Sequence, residues 1–209
     1  MIYLSGVSSP RARQLAETHA LGLMVQPGNS LALQIPAYRC WAADNGCFAR
    51  GEAFDPEAWL RWLDGLPRDG CLFAVAPDVL GDPVATLERS GPWLARIREV
   101  GFPAAYVAQD GIDGAPWAAL DVLFIGGSTG WKLSPAASRI AGEARARGVP
   151  VHMGRVNSLR RLSAAALMGC RSVDGTYLAF RARRGPEVGE RELASWLDVL
   201  EREPFLPLA

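Results

Sequence analysis

Carboxylate and amide side chains closely follow several apolar runs of this sequence. The carboxylates are Asp44, Asp78 and Asp174, and the amide is Gln109. A carboxylate can take up a proton or attack an electrophilic carbon, whereas a glutamine amide both donates and accepts hydrogen bonds. Brought together, these groups would suit acid–base and nucleophilic chemistry on a polar, planar substrate.

Each of these positions also has a purely structural interpretation. The clusters that begin at Asp44 and Asp174 contain Asn-Gly and Asp-Gly pairs, which commonly form turns. Ser9, Asp55 and Asp82 each precede a proline, which predicts helix N-caps, so the two aspartates are not counted as functional carboxylates. The functional hypothesis therefore depends on whether the whole set converges.

The apolar runs alternate with segments of helical periodicity. Strands are predicted at Ile2–Leu4, Leu23–Gln26, Arg39–Ala43, Leu72–Ala76, Ala104–Val107, Val122–Ile125, Val151–Met153 and Ser172–Val173. Helices are predicted at Pro10–Ala20, Pro56–Leu66, Pro83–Val100, Pro135–Arg147, from a cap at Asn157 to Met168, and at Gly189–Glu201. Strands alternating with helices pair in parallel, because each helix returns the chain to the same end of the sheet.

This pattern predicts one α/β domain over residues 1–209, a compact (β/α)8 TIM-type barrel, with an open doubly wound sheet as the alternative. In such a barrel the carboxyl ends of the strands meet at one mouth, where active sites form. The polar clusters all follow predicted strands, and so does the Gly126-Gly127 pair. We therefore expect them to converge.

Composition excludes several other kinds of site. The chain has two histidines, His19 and His152, and its four cysteines include no C-x-x-C pair, so we predict free thiols and no metal site. Neither G-x-G-x-x-G nor G-x-x-x-x-G-K-[ST] occurs, and we expect no cofactor. No apolar stretch is long enough to span a membrane, and the N-terminus does not resemble a secretory signal, so we expect a cytoplasmic protein.

Basic charge is concentrated near the C-terminal end of the chain, although the net charge is zero. Between Val151 and Pro186 one acid is accompanied by seven arginines: Arg155, Arg160, Arg161, Arg171, Arg181, Arg183 and Arg184. We expect Arg155, Arg160, Arg161 and Arg171 to bind nucleic-acid phosphates. The alternative is that arginine simply replaces lysine on the surface, since Lys132 is the only lysine.

In their order along the chain, these clusters resemble the catalytic core of the tRNA-guanine transglycosylase-like superfamily, especially its compact DpdA-type members associated with 7-deazapurine modification of DNA. The resemblance extends from about Trp41 to Ala179. Asp44 to Phe48 is similar to the family's Asp-Ser-Gly-Gly-Phe/Tyr-Gln motif, and Met153 lies in a His-Met-Gly sequence similar to its Leu-Met-Gly. Gly169 to Asp174 resembles its Gly-x-Asp-x-x-Asp motif.

The resemblance implies a role for each residue. Asp174 would attack the sugar, and Asp44 would transfer a proton at the base. Phe48 and Met153 would form opposite walls of a slot for the base, although both residue types are also common in hydrophobic cores. The edge of the base would be recognised by Asp78, Gln109, Gly126 and Gly127. The implied reaction replaces guanine with a 7-deazaguanine (preQ0-like) base in a polynucleotide.

The sequence departs from the family pattern at three points. Arg171 occupies the position of the first Asp of the nucleophile motif, and Ala49 replaces a glutamine. The cysteine-rich zinc subdomain that supports tRNA binding is absent, so we expect DNA in preference to tRNA. This absence leaves room for an additional protein partner or a homodimer. The alternatives are action on free nucleosides or nucleotides, and a non-catalytic barrel that binds nucleic acid.

Overall fold

In the computed structural model, which describes residues 1–181 and 185–202, parallel strands close a barrel. They follow one another around it in chain order, and the last pairs with the first. The strands are β1 (Ile2–Ser5), β2 (Leu21–Val25), β3 (Trp41–Ala43), β4 (Cys71–Val75), β5 (Ala104–Ala108), β6 (Val122–Ile125), β7 (Val151–Met153) and β8 (Ser172–Gly175). The predicted (β/α)8 TIM-type barrel is confirmed.

Helices surround the barrel and cover its outer face. They are α1 (Pro10–Thr18), α2 (Cys47–Arg50), α3 (Pro56–Asp64), α4 (Pro83–Glu99), α5 (Thr129–Lys132), α6 (Pro135–Ala146), α7 (Leu159–Leu167), α8 (Tyr177–Arg181) and α9 (Pro186–Arg202), with 3₁₀ helices at Ser30–Ala37 and Gly51–Ala53. The short helices α2, α5 and α8 were not predicted, because four or five residues carry too little periodicity, and the 3₁₀ helices were not predicted either. A loop formed by residues 109–121 joins β5 to β6.

Side-chain caps determine where the longer helices begin. Ser9 accepts a hydrogen bond from the backbone N–H of Ala12, and the carboxylates of Asp55 and Asp82 cap α3 and α4 in the same way. These three predictions are confirmed. The predicted cap at Asn157 is wrong, because Ser158 caps α7 and the Asn157 side chain bonds to Thr176.

The barrel has two apolar layers, because side chains of a strand point alternately to opposite faces. The interior is filled by residues such as Leu4, Phe73, Val75 and Val107. A larger cluster lies between the strands and the surrounding helices. On β7, Val151 and Met153 belong to this outer cluster, whereas the His152 ring packs inside the barrel.

All four cysteines are free thiols, as predicted. Among residues 1–181 and 185–202, no helix has both the length and the apolar character needed to cross a membrane.

Candidate active site

A cavity of about 190 Å³ opens at the carboxyl end of the strands. Predicted site residues contribute much of its lining: Asp44, Phe48, Asp78, Gln109, Gly126, Gly127, Arg155 and Asp174. Apolar side chains from inside the barrel, including Val75, Val107 and Phe124, complete the wall. The strand-end clusters therefore converge on one cavity, as a parallel barrel requires.

Asp174 is held at both carboxylate oxygens. His152 Nε2 lies 2.9 Å from Oδ1, and the backbone N–H of Arg155 lies 3.3 Å from Oδ2. Arg155 adopts a left-handed conformation with φ of 57°, which costs free energy for a residue with a side chain and is common at functional sites. Its guanidinium also bonds to the Gly127 carbonyl, which fixes this loop against the β6 end.

Asp44 is half-buried in the same cavity and has a perturbed acidity. Burial raises its pKa to about 6, and the negative charges of Asp174 and Asp78 contribute to the rise. The backbone N–H of Gly46 lies 3.4 Å from Oδ1, and this hydrogen bond opposes the rise in the pKa. Near neutral pH this carboxyl group can therefore both donate and accept a proton.

The side chains of Asp78 and Gln109 form a hydrogen bond with each other. Gln109 Nε2 donates to Asp78 Oδ2 at 2.8 Å, while Asn45 Nδ2 and the Cys47 thiol donate to Oδ1 at 3.0 and 3.1 Å. Gln109 Oε1 in turn accepts from the Gly81 N–H at 3.1 Å. This network forms a fixed polar wall of the cavity, and burial together with Asp78 raises the pKa of the Cys47 thiol to about 12.

Helix α4 holds the loop that carries Asp78. The Thr86 hydroxyl exchanges hydrogen bonds with the backbone of Val79, and the Ser90 hydroxyl donates to the Pro77 carbonyl at 2.7 Å. Arg89 donates to the Asp78 carbonyl at 3.3 Å. Both hydroxyl residues are fully buried, so the loop is anchored to the barrel from beneath.

Two predicted glycines lie where a side chain would not fit. A Cβ at Gly126 would lie 2.5 Å from Val107 Cγ1, and one at Gly127 would lie 2.1 Å from Asp110 Oδ1. Gly127 also has a φ of +66°. Packing alone explains both glycines, and backbone recognition of a ligand by them stays a prediction.

The two predicted walls of the slot have different positions. Phe48 lines the cavity and is 75% exposed, so its ring is available for stacking at the rim. Met153 is 1% exposed and packs in the outer core, so its assignment as the opposite wall is wrong. The cause is strand alternation, which turns His152 into the barrel and Met153 away from it.

The predicted arginine patch is divided between the two ends of the barrel. Arg155 lines the cavity, and Arg161 donates to the Arg155 carbonyl at 3.1 Å. Arg160 and Arg161 lie at the start of α7, which follows the carboxyl end of β7. Arg171 precedes β8 and lines a different cavity at the amino end of the strands, so its assignment to the same patch is wrong. Arg183, Arg184 and the Arg181 side chain lie outside the described residues.

Two buried residues near the site were not predicted. His152 is fully buried and contacts Asp174, and the Lys132 ammonium donates to the Gly154 carbonyl at 2.7 Å. Burial lowers the Lys132 pKa to about 8, and the nearby Arg155 charge acts in the same direction. A histidine between two apolar residues of a short strand was the available signal for His152. Within the described part of the chain, no cluster of His, Cys, Asp and Glu could hold a metal ion.

Comparisons with known proteins identify the fold. No protein-family model and no curated protein matches the chain. A native KDPGal structure has 16% identity and a TM-score of 0.55, covering 97% of this chain and 94% of its own. A mandelate oxidase variant has 12% identity and a TM-score of 0.60, covering 93% and 68%. Tryptophan synthase from M. tuberculosis has 17% identity and a TM-score of 0.54, covering 93% and 90%.

These similarities correct the family suggested by the motifs. The structural neighbours are barrels of other classes rather than tRNA-guanine transglycosylases, and no sequence family is found. The assignment to the transglycosylase-like superfamily, with its DpdA-type members, is therefore wrong. Its motifs consist largely of aspartates and glycines at strand ends, which parallel barrels of many functions share.

Proposed function

We propose that this chain is a glycosyltransferase that exchanges the base of an N-glycoside, with Asp174 as the nucleophile and Asp44 as the proton-transfer group. The observation that carries the proposal is that these two carboxyl groups line one small cavity in different environments. Asp174 contacts His152 Nε2 and the backbone N–H of Arg155, whereas burial raises the pKa of Asp44 to about 6. In glycoside chemistry, a hydrogen-bonded carboxylate commonly acts as the nucleophile and a nearby carboxyl group with a raised pKa as the acid.

The reaction has two steps, release of the first base and attachment of the second. A carboxylate oxygen of Asp174 attacks the anomeric carbon, the glycosidic C–N bond breaks, and the departing nitrogen takes its electron pair and a proton from Asp44. A ring nitrogen of the incoming base then attacks the same carbon and displaces Asp174. Its N–H proton passes to the Asp44 carboxylate, which restores the starting state.

The remaining wall of the cavity suits a planar base. Phe48 offers an exposed ring for stacking at the rim, and the network of Asn45, Asp78 and Gln109 supplies donors and acceptors beside it. Because the Asp78 oxygens already accept hydrogen bonds, a ligand has to replace or share those bonds. We therefore expect recognition of the base edge to involve the whole network.

Replacement of guanine by a 7-deazaguanine base in DNA, in preference to tRNA, is the form of the reaction to test first. Arg155, Arg160 and Arg161 near the mouth favour a substrate with phosphates. Exchange on a free nucleoside is the second form. It is favoured by the cavity of about 190 Å³, which is below the roughly 300 Å³ typical of pockets for larger ligands. A cytoplasmic location stays a prediction.

The test is incorporation of radiolabelled guanine or preQ0 into duplex DNA, single-stranded DNA, tRNA or guanosine. We expect incorporation into at least one acceptor, abolished by Asp174→Ala and reduced on the order of a hundredfold by Asp44→Asn. Asp69→Asn, an exposed carboxylate before β4, is the matched control and should keep full activity.

Incorporation into guanosine alone would select the nucleoside form. Binding of a polynucleotide without incorporation of either base would indicate a non-catalytic module and contradict the proposal. An Asp174→Ala protein that still formed a covalent adduct with the substrate would remove Asp174 from the nucleophilic role.

A further inference from the structure

Three hydrogen-bonded side chains cross the interior of the barrel beneath the candidate active site. Ser172 Oγ lies 2.8 Å from His152 Nδ1, and His152 Nε2 lies 2.9 Å from Asp174 Oδ1. Asp174 lines the mouth cavity, while Ser172 lines the cavity at the amino end of the strands. The imidazole therefore bridges the layer of side chains that separates the two ends of the barrel.

The imidazole is immobilised by aromatic packing. Its centroid lies 4.8 Å from that of Phe73 and 4.5 Å from that of Phe124, and the residue has no exposed surface. Because it does not line the mouth cavity, it cannot contact a substrate there. Any influence of His152 on chemistry must therefore pass through Asp174.

Hydrogen-bond chemistry determines where the imidazole carries its proton. An ionised carboxylate only accepts, so Nε2 must be the protonated nitrogen that faces Asp174. The Ser172 hydroxyl can donate to a bare Nδ1 or accept from a protonated one. Ser172 thus satisfies Nδ1 in either charge state of the ring, and the bond from Nε2 to Asp174 is retained in both.

We propose that His152 is the positioning residue of the Asp174 carboxylate and that Ser172 fixes the orientation of its ring. The N–H donors of His152 and the Arg155 backbone hold the two oxygens and so fix the plane of the carboxylate. The hydrogen bonds from Ser172 through His152 to Asp174 are called the relay below. The use of Asp174 as a nucleophile rests on the proposed function, whereas the relay does not. Preorganised hydrogen bonds of this kind place a reacting group without reorganisation during the reaction.

The presence of only two histidines makes the relay accessible to nitrogen NMR of imidazole groups. His19→Gln assigns the signals by removing one set. In the otherwise unchanged protein, we expect His152 to show a protonated Nε2 whose proton exchanges slowly with water. Asp174→Ala should accelerate that exchange at least about tenfold, because the acceptor is removed.

Two further variants test the remaining contacts. Asp44 lines the same cavity but has no hydrogen bond to His152, so Asp44→Asn should leave the imidazole signals unchanged. Ser172→Ala should shift the Nδ1 signal while Nε2 stays protonated. If Asp174→Ala does not fold, Asp174→Asn takes its place in the test. It keeps the shape of the side chain and should alter the Nε2 signal.

An unprotonated Nε2 in the starting protein would overturn the proposal. So would unchanged imidazole signals in folded variants of Asp174. These measurements need no substrate, so the relay and the glycosyltransferase proposal can fail separately. Once an exchange reaction is found, His152→Phe should lower kcat on the order of tenfold to a hundredfold without raising KM. His152→Gln, which can return an N–H donor, should recover part of that activity.

Discussion

At the scale of single residues, Asp44 has the most informative environment. Burial raises the pKa of this carboxyl group to about 6, and the negative charges of Asp174 and Asp78 contribute to the rise. If it donates a proton to the leaving base, activity should fall as pH rises through about 6, because the protonated form disappears. A pH profile of base exchange measures this directly, and a rate that increased through the same range would assign Asp44 as a base in the limiting step.

The same residue predicts how stability depends on pH. The folded-state pKa of about 6 lies above the ordinary value of 3.8, so the folded protein binds this proton more tightly than the unfolded chain. The resulting stabilisation is complete below pH 3.8 and disappears as pH rises through about 6. Relative to the original protein, Asp44→Asn should therefore gain about 1–3 kcal/mol between pH 4 and pH 8.

Urea unfolding at several pH values tests this prediction. Asp69→Asn, on the exposed surface, controls for the removal of one negative charge. A stability difference between Asp44→Asn and the original protein that stays constant with pH would contradict the proposed environment of Asp44.

At the scale of secondary-structure elements, close packing at the end of β8 positions the site. Gly175 follows Asp174 in this strand, and a Cβ there would lie 2.2 Å from the Tyr3 hydroxyl and 2.5 Å from the Val156 carbonyl. The Tyr3 hydroxyl itself donates to Val156 at 3.2 Å, and burial followed by the Asp174 charge raises the Tyr3 pKa. The glycine thus allows β1, β8 and the loop after β7 to meet beside Asp174.

Gly175→Ala should therefore destabilise the protein by about 1–3 kcal/mol, because a backbone carbonyl has to move. Gly142→Ala is the matched control, since nothing lies within 4 Å of a Cβ at that position in α6. It should stabilise the protein by about 0.5–1 kcal/mol through improved helix propensity. Thermal or urea unfolding compares the two variants, and equal stability would contradict the packing described at Gly175.

At the scale of the whole molecule, the barrel separates arginines that are close in sequence. Arg155 lines the mouth, and Arg160 and Arg161 lie at the start of α7 on the same side of the barrel, whereas Arg171 lies at the opposite end. The net charge is zero, so attraction of a polyanion depends on this distribution rather than on the total.

If the mouth binds a polynucleotide, replacing any of its three arginines with glutamine should weaken binding. The slope of log affinity against log salt should fall by about 1 for each phosphate group that the variant no longer neutralises. Arg171→Gln should leave the affinity and the slope unchanged. Fluorescence anisotropy of a labelled oligonucleotide at several salt concentrations measures both, and an equal effect of Arg171→Gln would contradict binding at the mouth.

The sequence alone determined the strands, the longer helices and several of their caps. Each depends on neighbouring residues: the apolar runs define the strands, and Ser9, Asp55 and Asp82 bond to nearby backbone N–H groups. The convergence of Asp44, Asp78, Gln109 and Asp174 also followed, since parallel strands bring their carboxyl ends together.

Only the tertiary structure decided which way individual side chains point and what they contact. Strand β7 is too short and too apolar for its sequence to reveal that His152 faces inward and Met153 outward. The bond from His152 to Asp174 joins two strands, and the position of Arg171 depends on its place before β8 rather than after it. These properties arise from strand register and barrel closure, which involve residues distant in sequence, whereas helix caps and apolar runs are local.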